Sequence, residues 1–318
     1  EVYKLTYTQK QMVEIARAVM LNAKLLILDE ATSYLPDVDK QRVFKFLREF
    51  TASEGSVILI THKIREALEI SDVITILRSG RVVATVERLN ADEDLIRKHM
   101  FGEYVLTERK IGQSAPPGEI VLSIRDLWVK GDLGEYKVRG VNLDVYRGEI
   151  MGVAGITGSG QSELLEAIMG LRRIDKGTIL INGVNVTNKN PGFIRRLGVG
   201  YIPDNPLKQG VSIEHSIVEN LAVTPFNQGF IVKWSEISKL AEELIKKYNI
   251  LTPSINSPVK LLSGGNIMKT IISREFEYAS TILLAYNPTR CLDEYSAENF
   301  RRLILEKARA IGLSVLYV

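Results

Sequence analysis

The sequence is short of three things, and each shortage excludes something. A single cysteine, Cys291, stands among 318 residues, so no internal disulfide can staple the chain. Long apolar runs are missing too: stretches such as Leu25 to Leu28 and Val57 to Ile60 hold about four residues, against the roughly 20 that a membrane-spanning helix needs. There is also no block of one charge. The 41 basic and 38 acidic side chains are spread through both halves and leave a net charge of +3, which argues against a nucleic-acid-binding surface. With no signal peptide opening the chain, the cytoplasm is the expected compartment. What is present, 45% hydrophobic and 25% charged residues, is the composition of an ordinary globular protein of about two domains.

The chain resembles itself. Leu5-Thr-Tyr-Thr-Gln9, a helix-like stretch through Arg17 and an apolar run ending in Asp29-Glu30-Ala-Thr32 recur as Leu262-Ser-Gly-Gly-Asn266, Arg274 and a run ending in Tyr286-Asn287-Pro-Thr289. Leu5 and Leu262, Arg17 and Arg274, and Thr32 and Thr289 all share one offset of 257 positions. A period that long implies two copies of a whole domain, because solenoid repeats run about 20 to 50 residues. Ser56-Val-Ile-Leu-Ile60 and Ser314-Val-Leu-Tyr-Val318 match with a one-residue slip. The counterpart of 119 to about 257 would precede residue 1, so the first copy is expected to be truncated and the chain to be a fragment. The expected boundaries are 1–100 for the back part of a first domain, 101–118 for a linker with Pro116-Pro117, and 119–318 for a second domain short of its C-terminal end.

Strand-like runs at Leu25–Leu28, Val57–Thr61, Ile150–Ala154 and Ile282–Ala285 alternate with amphipathic stretches such as Gln9–Leu21 and Ser235–Tyr248. This alternation predicts an α/β fold around a mostly parallel sheet, with a helical insert near Asn220–Tyr248.

Three motifs carry chemistry on this scaffold. Gly155-Ile-Thr-Gly158-Ser159-Gly160-Gln161-Ser162 follows a strand and opens a helix predicted over Glu163–Met169, the context of a phosphate-binding loop whose backbone N–H groups face the anion. Its expected lysine is Gln161, which can donate a hydrogen bond but cannot bring a positive charge to the phosphates. Leu25-Leu-Ile-Leu28-Asp29-Glu30 is an apolar strand ending in two carboxylates, the first placed to hold Mg²⁺ and the second to activate water. His62 ends the next strand, at the sheet edge where ligands bind in parallel folds, and is read as a γ-phosphate contact. Ser263-Gly264-Gly265-Asn266 precedes a helix and offers a hydroxyl and free N–H groups to a phosphate; the same sequence also makes an ordinary helix cap. Trp128, ahead of the loop, fits adenine stacking or core packing.

As a duplicated set in this order, these motifs resemble the tandem ATPase subunits of bacterial and archaeal ABC importers for simple sugars and nucleosides. Gly158-Ser-Gly-Gln161-Ser-Glu-Leu, Tyr201-Ile-Pro203-Asp204, Leu262-Ser-Gly-Gly-Asn266 and Asn287-Pro-Thr-Arg290 are most similar to the nucleoside-type branch, since the ribose-type branch tends to carry Arg at the Gln161 position. The resemblance implies a P-loop NTPase (ABC ATPase) fold, two tandem copies with a helical subdomain, and ATP with Mg²⁺ as ligands. It implies Glu30 and His62 as catalytic, Asp29 and Ser162 as metal ligands, and Gly155, Gly158, Ser159, Gly160, Gln161, Ser162, Ser263, Gly264, Gly265, Asn266 and Asp204 as nucleotide-binding. Implied partners are transmembrane permease subunits and, indirectly, an extracytoplasmic solute-binding protein, without nucleic acid, at the cytoplasmic face of the membrane.

In that family two nucleotide-binding domains pair head to tail, and each ATP lies between the Walker motifs of one and the Leu-Ser-Gly-Gly signature of the other. Sorted by this rule, Asp29, Glu30 and His62 belong with the intact signature at Ser263–Asn266. Gln161 belongs with Leu5-Thr-Tyr-Thr-Gln9, whose glycines have become Tyr7 and Thr8, and with Tyr286 and Asn287 in place of two acids. Random decay would have scattered these losses. One competent and one degenerate site are therefore expected, with little ATPase activity from the 318-residue chain alone. Pro36 and Tyr286 depart from the family pattern. A soluble tandem ABC ATPase acting on ribosomes or nucleic acid is the alternative, and such proteins usually keep both sites competent.

Overall fold

A computed structural model describes residues 7–21, 23–32, 35, 37–53, 55–78, 80–101, 118–156, 158–223 and 231–318. Leu5, Thr6, Thr157, Pro36 and positions 102–117 of the linker expected over 101–118 lie outside them. The chain divides into two compact units, Glu1–Lys110 and Ile111–Val318.

The first unit runs α1 (Tyr7–Met20), β1 (Leu25–Asp29), α2 (Asp37–Ala52), β2 (Ser56–Ile60), α3 (Ile64–Ile70), β3 (Val73–Arg78), β4 (Arg81–Glu87) and α4 (Glu93–Phe101). β1 and β2 are parallel, from Leu25 opposite Ser56 to Asp29 opposite Ile60. Parallel neighbours need a crossover, and α2 supplies it, burying Val43, Phe44 and Leu47 with Leu26 and Leu28. An unbroken apolar strand in a parallel sheet normally has both faces covered. Here one face is covered, while Leu25 (49%), Ile27 (62%), Ile58 and Ile60 are exposed. A second small core joins Ile64, Ile74, Ile76 and Ile96 beside the antiparallel β3–β4 hairpin.

The second unit runs β5 (Ile120–Lys130), β6 (Tyr136–Tyr146), β7 (Ile150–Gly152), α5 (Gln161–Ile168), β8 (Ile174–Ile181), β9 (Val184–Asn185), α6 (Pro191–Arg196), β10 (Val199–Ile202), α7 (Ile217–Ala222), α8 (Trp234–Lys247), α9 (Gly264–Tyr278), β11 (Ile282–Ala285), α10 (Glu294–Ile311) and β12 (Ser314–Tyr317). Its parallel sheet has the order β10-β11-β12-β7, and a separate antiparallel sheet has the order β6-β5-β8-β9. The parallel sheet matches the sequence-based expectation; the antiparallel one was not foreseen. Register shifts between Ile120 and Leu122 and between Ile124 and Leu127 insert extra residues into β5, and those near Val129 insert them into β6; such bulges erase the two-residue alternation that marks a strand in sequence.

β11 is buried along its whole length. Leu283 and Ala285 pack with Met268 and Ile271 of α9 and Phe300 and Ile304 of α10. Ile282 and Leu284 pack with Leu164, Leu165 and Ile168 of α5 and with the antiparallel sheet. In the expected helical insert, α7 begins at a capping box between Ser216 and Glu219, and α8 buries Ile237, Ala241 and Leu244, one stripe of a helical face. The strand expected over Ile150–Ala154 ends at Gly152, and the next helix opens at Gln161, two residues before the expected Glu163. No described helix is long and apolar enough to cross a membrane.

Elements of the two units begin at matching places. α1 and α9 start at Tyr7 and Gly264, β1 and β11 at Leu25 and Ile282, and α2 and α10 at Asp37 and Glu294, all at the offset found in the sequence. β2 and β12, at Ser56 and Ser314, carry the one-residue slip. A left-handed residue follows each matched strand, Glu30 directly after β1 at φ 48° and Asn287 two residues past the end of β11 at φ 39°. Each donates its N–H to the next strand's end, Glu30 to Ile60 O at 2.9 Å and Asn287 to Val318 O at 2.7 Å.

Candidate active site

In the first unit, the parallel pairing of β1 and β2 carries the acids and the histidine to the same sheet edge. Asp29 closes β1 and is exposed. Glu30 turns off the strand, and Nδ1 of His62 lies 3.0 Å from its Oε1, where Nδ1–H donates to the carboxylate. Both side chains line a cleft of about 1000 Å³ with Ile58, Ile60, Ile74 and Ile76. The structure thus brings together Glu30 and His62, with Asp29 adjacent, as the sequence suggested.

Sequence reasoning missed Glu66. It is 2% exposed on α3 and accepts hydrogen bonds at Oε2 from the hydroxyls of Thr32 (2.6 Å) and Thr61 (3.4 Å). Its Oε1 faces Lys63 at 3.3 Å and Lys40 at 3.7 Å. One buried carboxylate therefore ties the segment after Glu30 to the segment that carries His62. An acid in the first turn of the helix that follows His62 was the available signal. Glu66→Ala leaves Thr32 buried without its partner, and is expected to destabilise the first unit by about 1–3 kcal/mol. Amide hydrogen exchange of β1 and β2 measures this; unchanged protection there would refute it.

In the second unit, Gly158 and Gly160 take φ of 87° and 102°, a conformation that suits glycine. A Cβ at Gly160 would also run into the Lys137 carbonyl. The first N–H groups of α5 have no intrahelical acceptor and face outward from the helix start, as an anion site requires. Gln161 is 7% exposed and folds back, its Nε2 donating to Ile156 O at 3.2 Å within its own loop beside Gly155. Its Oε1 is buried without a hydrogen-bond partner among the described residues. A cavity of about 240 Å³ lies against the loop, lined by Lys137, Arg139, Gly155, Ser159, Gly160 and Gln161 among others.

The Ser162 hydroxyl donates to Oδ2 of Asp204 at 3.2 Å, and Oδ1 of Asp204 lies 3.5 Å from the Arg290 guanidinium. Tyr286 lies close to Asp204 and is partly buried. Burial and then the charge of Asp204 push its phenol above the ordinary value. Asp204 thus sits with Ser162 and Arg290 inside this cluster. Trp128 is half-buried, edge-on to Tyr136 at 5.4 Å, with its indole N–H on Asp126.

At the signature turn, Ser263 caps α9. Gly264 is open to space, and Gly265 packs near the Cys291 carbonyl. The Asn266 side chain is buried under the turn, donating to Ser263 Oγ at 2.9 Å and accepting from Leu251 N at 2.9 Å. It braces Ser263, so the hydroxyl and the two glycines are what the turn presents.

The fold and these motifs agree with comparisons to known proteins. The ABC transporter family profile matches residues 1–33 and 138–290, and the chain belongs to that family. It is 34% identical to a nucleoside import ATP-binding protein of Lactococcus lactis subsp. cremoris, over 98% of this chain and 62% of the relative. With a guanosine import ATP-binding protein of Bacillus subtilis the figures are 35%, 96% and 61%. The chain thus spans about three fifths of the length of these relatives. An ATP-binding cassette solved as a post-hydrolysis dimer with ADP and Pi shares the fold, with a TM-score of 0.54 and 22% identity over 62% of this chain and 87% of that one.

Proposed function

We propose that the chain is part of the ATP-hydrolysing subunit of an importer for a nucleoside or simple sugar. ATP turnover would drive transmembrane permease subunits, supplied with solute by an extracytoplasmic binding protein, from the cytoplasmic face of the membrane. The observation that carries this reading is the Glu30–His62 pair at 3.0 Å on the edge of a parallel sheet, with Asp29 beside it. Glu30 is the base that activates water. His62 holds the carboxylate in place through Nδ1–H, and with both ring nitrogens protonated it can also donate to a phosphate oxygen from Nε2. The exposed carboxylate of Asp29 fits a hard divalent cation, which takes oxygen ligands. Mg²⁺ bound there would neutralise phosphate charge.

The relatives named for nucleoside and guanosine import support the solute class. Tandem architecture is supported by the matched starts of α1 and α9, β1 and β11, and α2 and α10. In this reading the first unit is the back part of a domain like the second. Two differences support it. Leu25 and Ile27 are exposed where Ile282 and Leu284 are buried under α5 and the antiparallel sheet. Arg17 has a side chain 69% exposed, whereas Arg274 is buried, donating to Gly210 O and Asn220 O. Asp29, Glu30 and His62 form the hydrolytic set carried by the first unit; Gln161, Tyr286 and Asn287 belong to a set without turnover in the second.

The test is the ATPase rate of the longer polypeptide in proteoliposomes with its membrane subunits and binding protein. Addition of a nucleoside or sugar should raise it. A rate indifferent to every such solute, with co-sedimentation on ribosomes instead, would defeat the proposal.

A further inference from the structure

Glu30 and His62 meet at 3.0 Å although their side chains are 50% and 24% exposed. A contact between two partly solvated side chains gains little by itself, because fixing both in one geometry costs entropy. Glu30 also holds φ 48°, a conformation that a non-glycine residue keeps where the surrounding structure over-determines it. The pair therefore needs a constraint from outside itself.

Glu66, in the first turn of α3, is placed to supply it. Its Oε2 accepts from the hydroxyl of Thr32 at 2.6 Å, two residues past Glu30, and Thr32 has no exposed surface. The same oxygen accepts from the Thr61 hydroxyl at 3.4 Å, and Thr61 Oγ1 accepts in turn from Lys63 N at 3.0 Å. His62 lies between Thr61 and Lys63, so its backbone is gripped on either side. Hydrogen bonds to a carboxylate are stronger than neutral ones, and the ammonium groups of Lys63 and Lys40 face the other oxygen at 3.3 and 3.7 Å. One buried side chain thereby fixes both the segment beyond the base and the segment around the histidine.

We propose that Glu66 is a positioning residue for the hydrolytic set. Through Thr32 and Thr61 it sets the spacing at which Nδ1–H of His62 meets the Glu30 carboxylate, and so keeps the base aimed and the imidazole proton on Nδ1. The proposal rests on the reading of Glu30 as the base that activates water. Which ring nitrogen carries the proton follows from the hydrogen bond that the ring makes, so releasing the two threonines changes the tautomer of His62. A misaimed base costs turnover rather than nucleotide affinity, because its interaction with the departing proton is made in the transition state.

Two measurements test this. The 318-residue chain holds three histidines, His62, His99 and His215, so long-range ¹⁵N NMR of the imidazoles at about pH 8.5, where an ordinary ring is neutral, reads the His62 tautomer, with His62→Gln as the assignment. The parent ring should be protonated on Nδ1. Thr32→Val, which keeps the shape of the side chain and removes the hydroxyl, should move the signal toward Nε2–H, as should Glu66→Ala; Thr32→Ser, which keeps the hydroxyl and removes the methyl group, should leave it in place. In the longer polypeptide with its membrane subunits, Thr32→Val and Glu66→Ala should lower kcat by about 10- to 100-fold with KM for ATP within about twofold of the parent, and Thr32→Ser should restore kcat. A purely structural role for the cluster predicts equal losses from Thr32→Val and Thr32→Ser with the tautomer unmoved, and that result would overturn the proposal. So would a parent ring protonated on Nε2. Turnover abolished by Glu30→Gln but untouched by Thr32→Val and Glu66→Ala would remove the positioning role and leave the hydrolytic reading standing. Turnover indifferent to Glu30→Gln would defeat that reading, and the positioning role with it.

Discussion

Glu30→Gln in the longer polypeptide is expected to cut steady-state ATP turnover by about 10²–10⁴-fold, the range that a positioned general base supplies, while Asn287→Ala leaves the rate near that of the parent. The two residues make a matched pair. Both follow the apolar strand of a parallel pair, both adopt a left-handed backbone, and both donate their N–H to the end of the neighbouring strand. Backbone geometry is therefore held nearly constant, and the difference between them is chemical. A carboxylate can take a proton from water and accept from Nδ1–H of His62 at 3.0 Å. The Asn287 amide oxygen can accept a hydrogen bond but cannot take the proton from water, so removing it takes no base away. Glu30→Gln keeps the shape of the side chain and a hydrogen-bonding oxygen, which separates loss of the base from collapse of the turn. Phosphate release measured on both variants decides the matter. Equal losses would mean that both sets of motifs turn over.

The parts of this arrangement that were legible in the sequence are those whose physics is local or repetitive. Leu25–Leu28 and Ile282–Ala285 announce themselves as strands by composition, and the constant spacing of Leu5, Arg17 and Thr32 from Leu262, Arg274 and Thr289 predicts where α9, β11 and α10 begin once α1, β1 and α2 are known. Asp29, Glu30 and His62 were legible because strand ends in parallel sheets collect ligands. Three things were hidden. The antiparallel sheet was masked by the bulges in β5. Glu66 reads as one more surface acid on α3, and only tertiary folding gives it Thr32 and Thr61 as partners. The hydrogen bonds of Asn266 to Ser263 and to the distant Leu251 N–H are also tertiary, and its place after Ser-Gly-Gly does not announce them.

The largest stability effect is expected at Glu275, which no motif marks. Its carboxylate is fully buried in α9, receives both hydrogen bonds from Nη2 of Arg195 at 3.0 and 2.9 Å, one from Nε of Arg274 at 2.7 Å, and one from the Tyr201 N–H of β10 at 3.0 Å. Burial alone would raise its titration point, but Arg274 and Arg195 outweigh burial and hold it below the ordinary carboxylate value. Glu275→Ala strips two guanidiniums of their counter-charge and should cost about 3–5 kcal/mol, the usual penalty for breaking a buried pair from one side. Arg274 keeps Gly210 O and Asn220 O as acceptors, so the uncompensated charge falls mainly on Arg195. The exposed Glu14–Arg17 pair provides the contrast: Glu14→Ala should cost at most about 1 kcal/mol. Both tryptophans, Trp128 and Trp234, lie in the second unit, so urea unfolding followed by tryptophan fluorescence reports the unit that contains Glu275. The pH dependence has a definite sign. Because the folded carboxyl titrates below the unfolded one, the unfolded chain binds the proton more readily, and stability falls as pH drops from about 4.3, the unfolded value, through the lower folded one. Glu275→Ala should flatten that acid limb of the urea midpoint against pH. An acid limb of unchanged slope would mean that the cluster's stability does not depend on the Glu275 charge, and that its ion pairs are replaceable by packing alone.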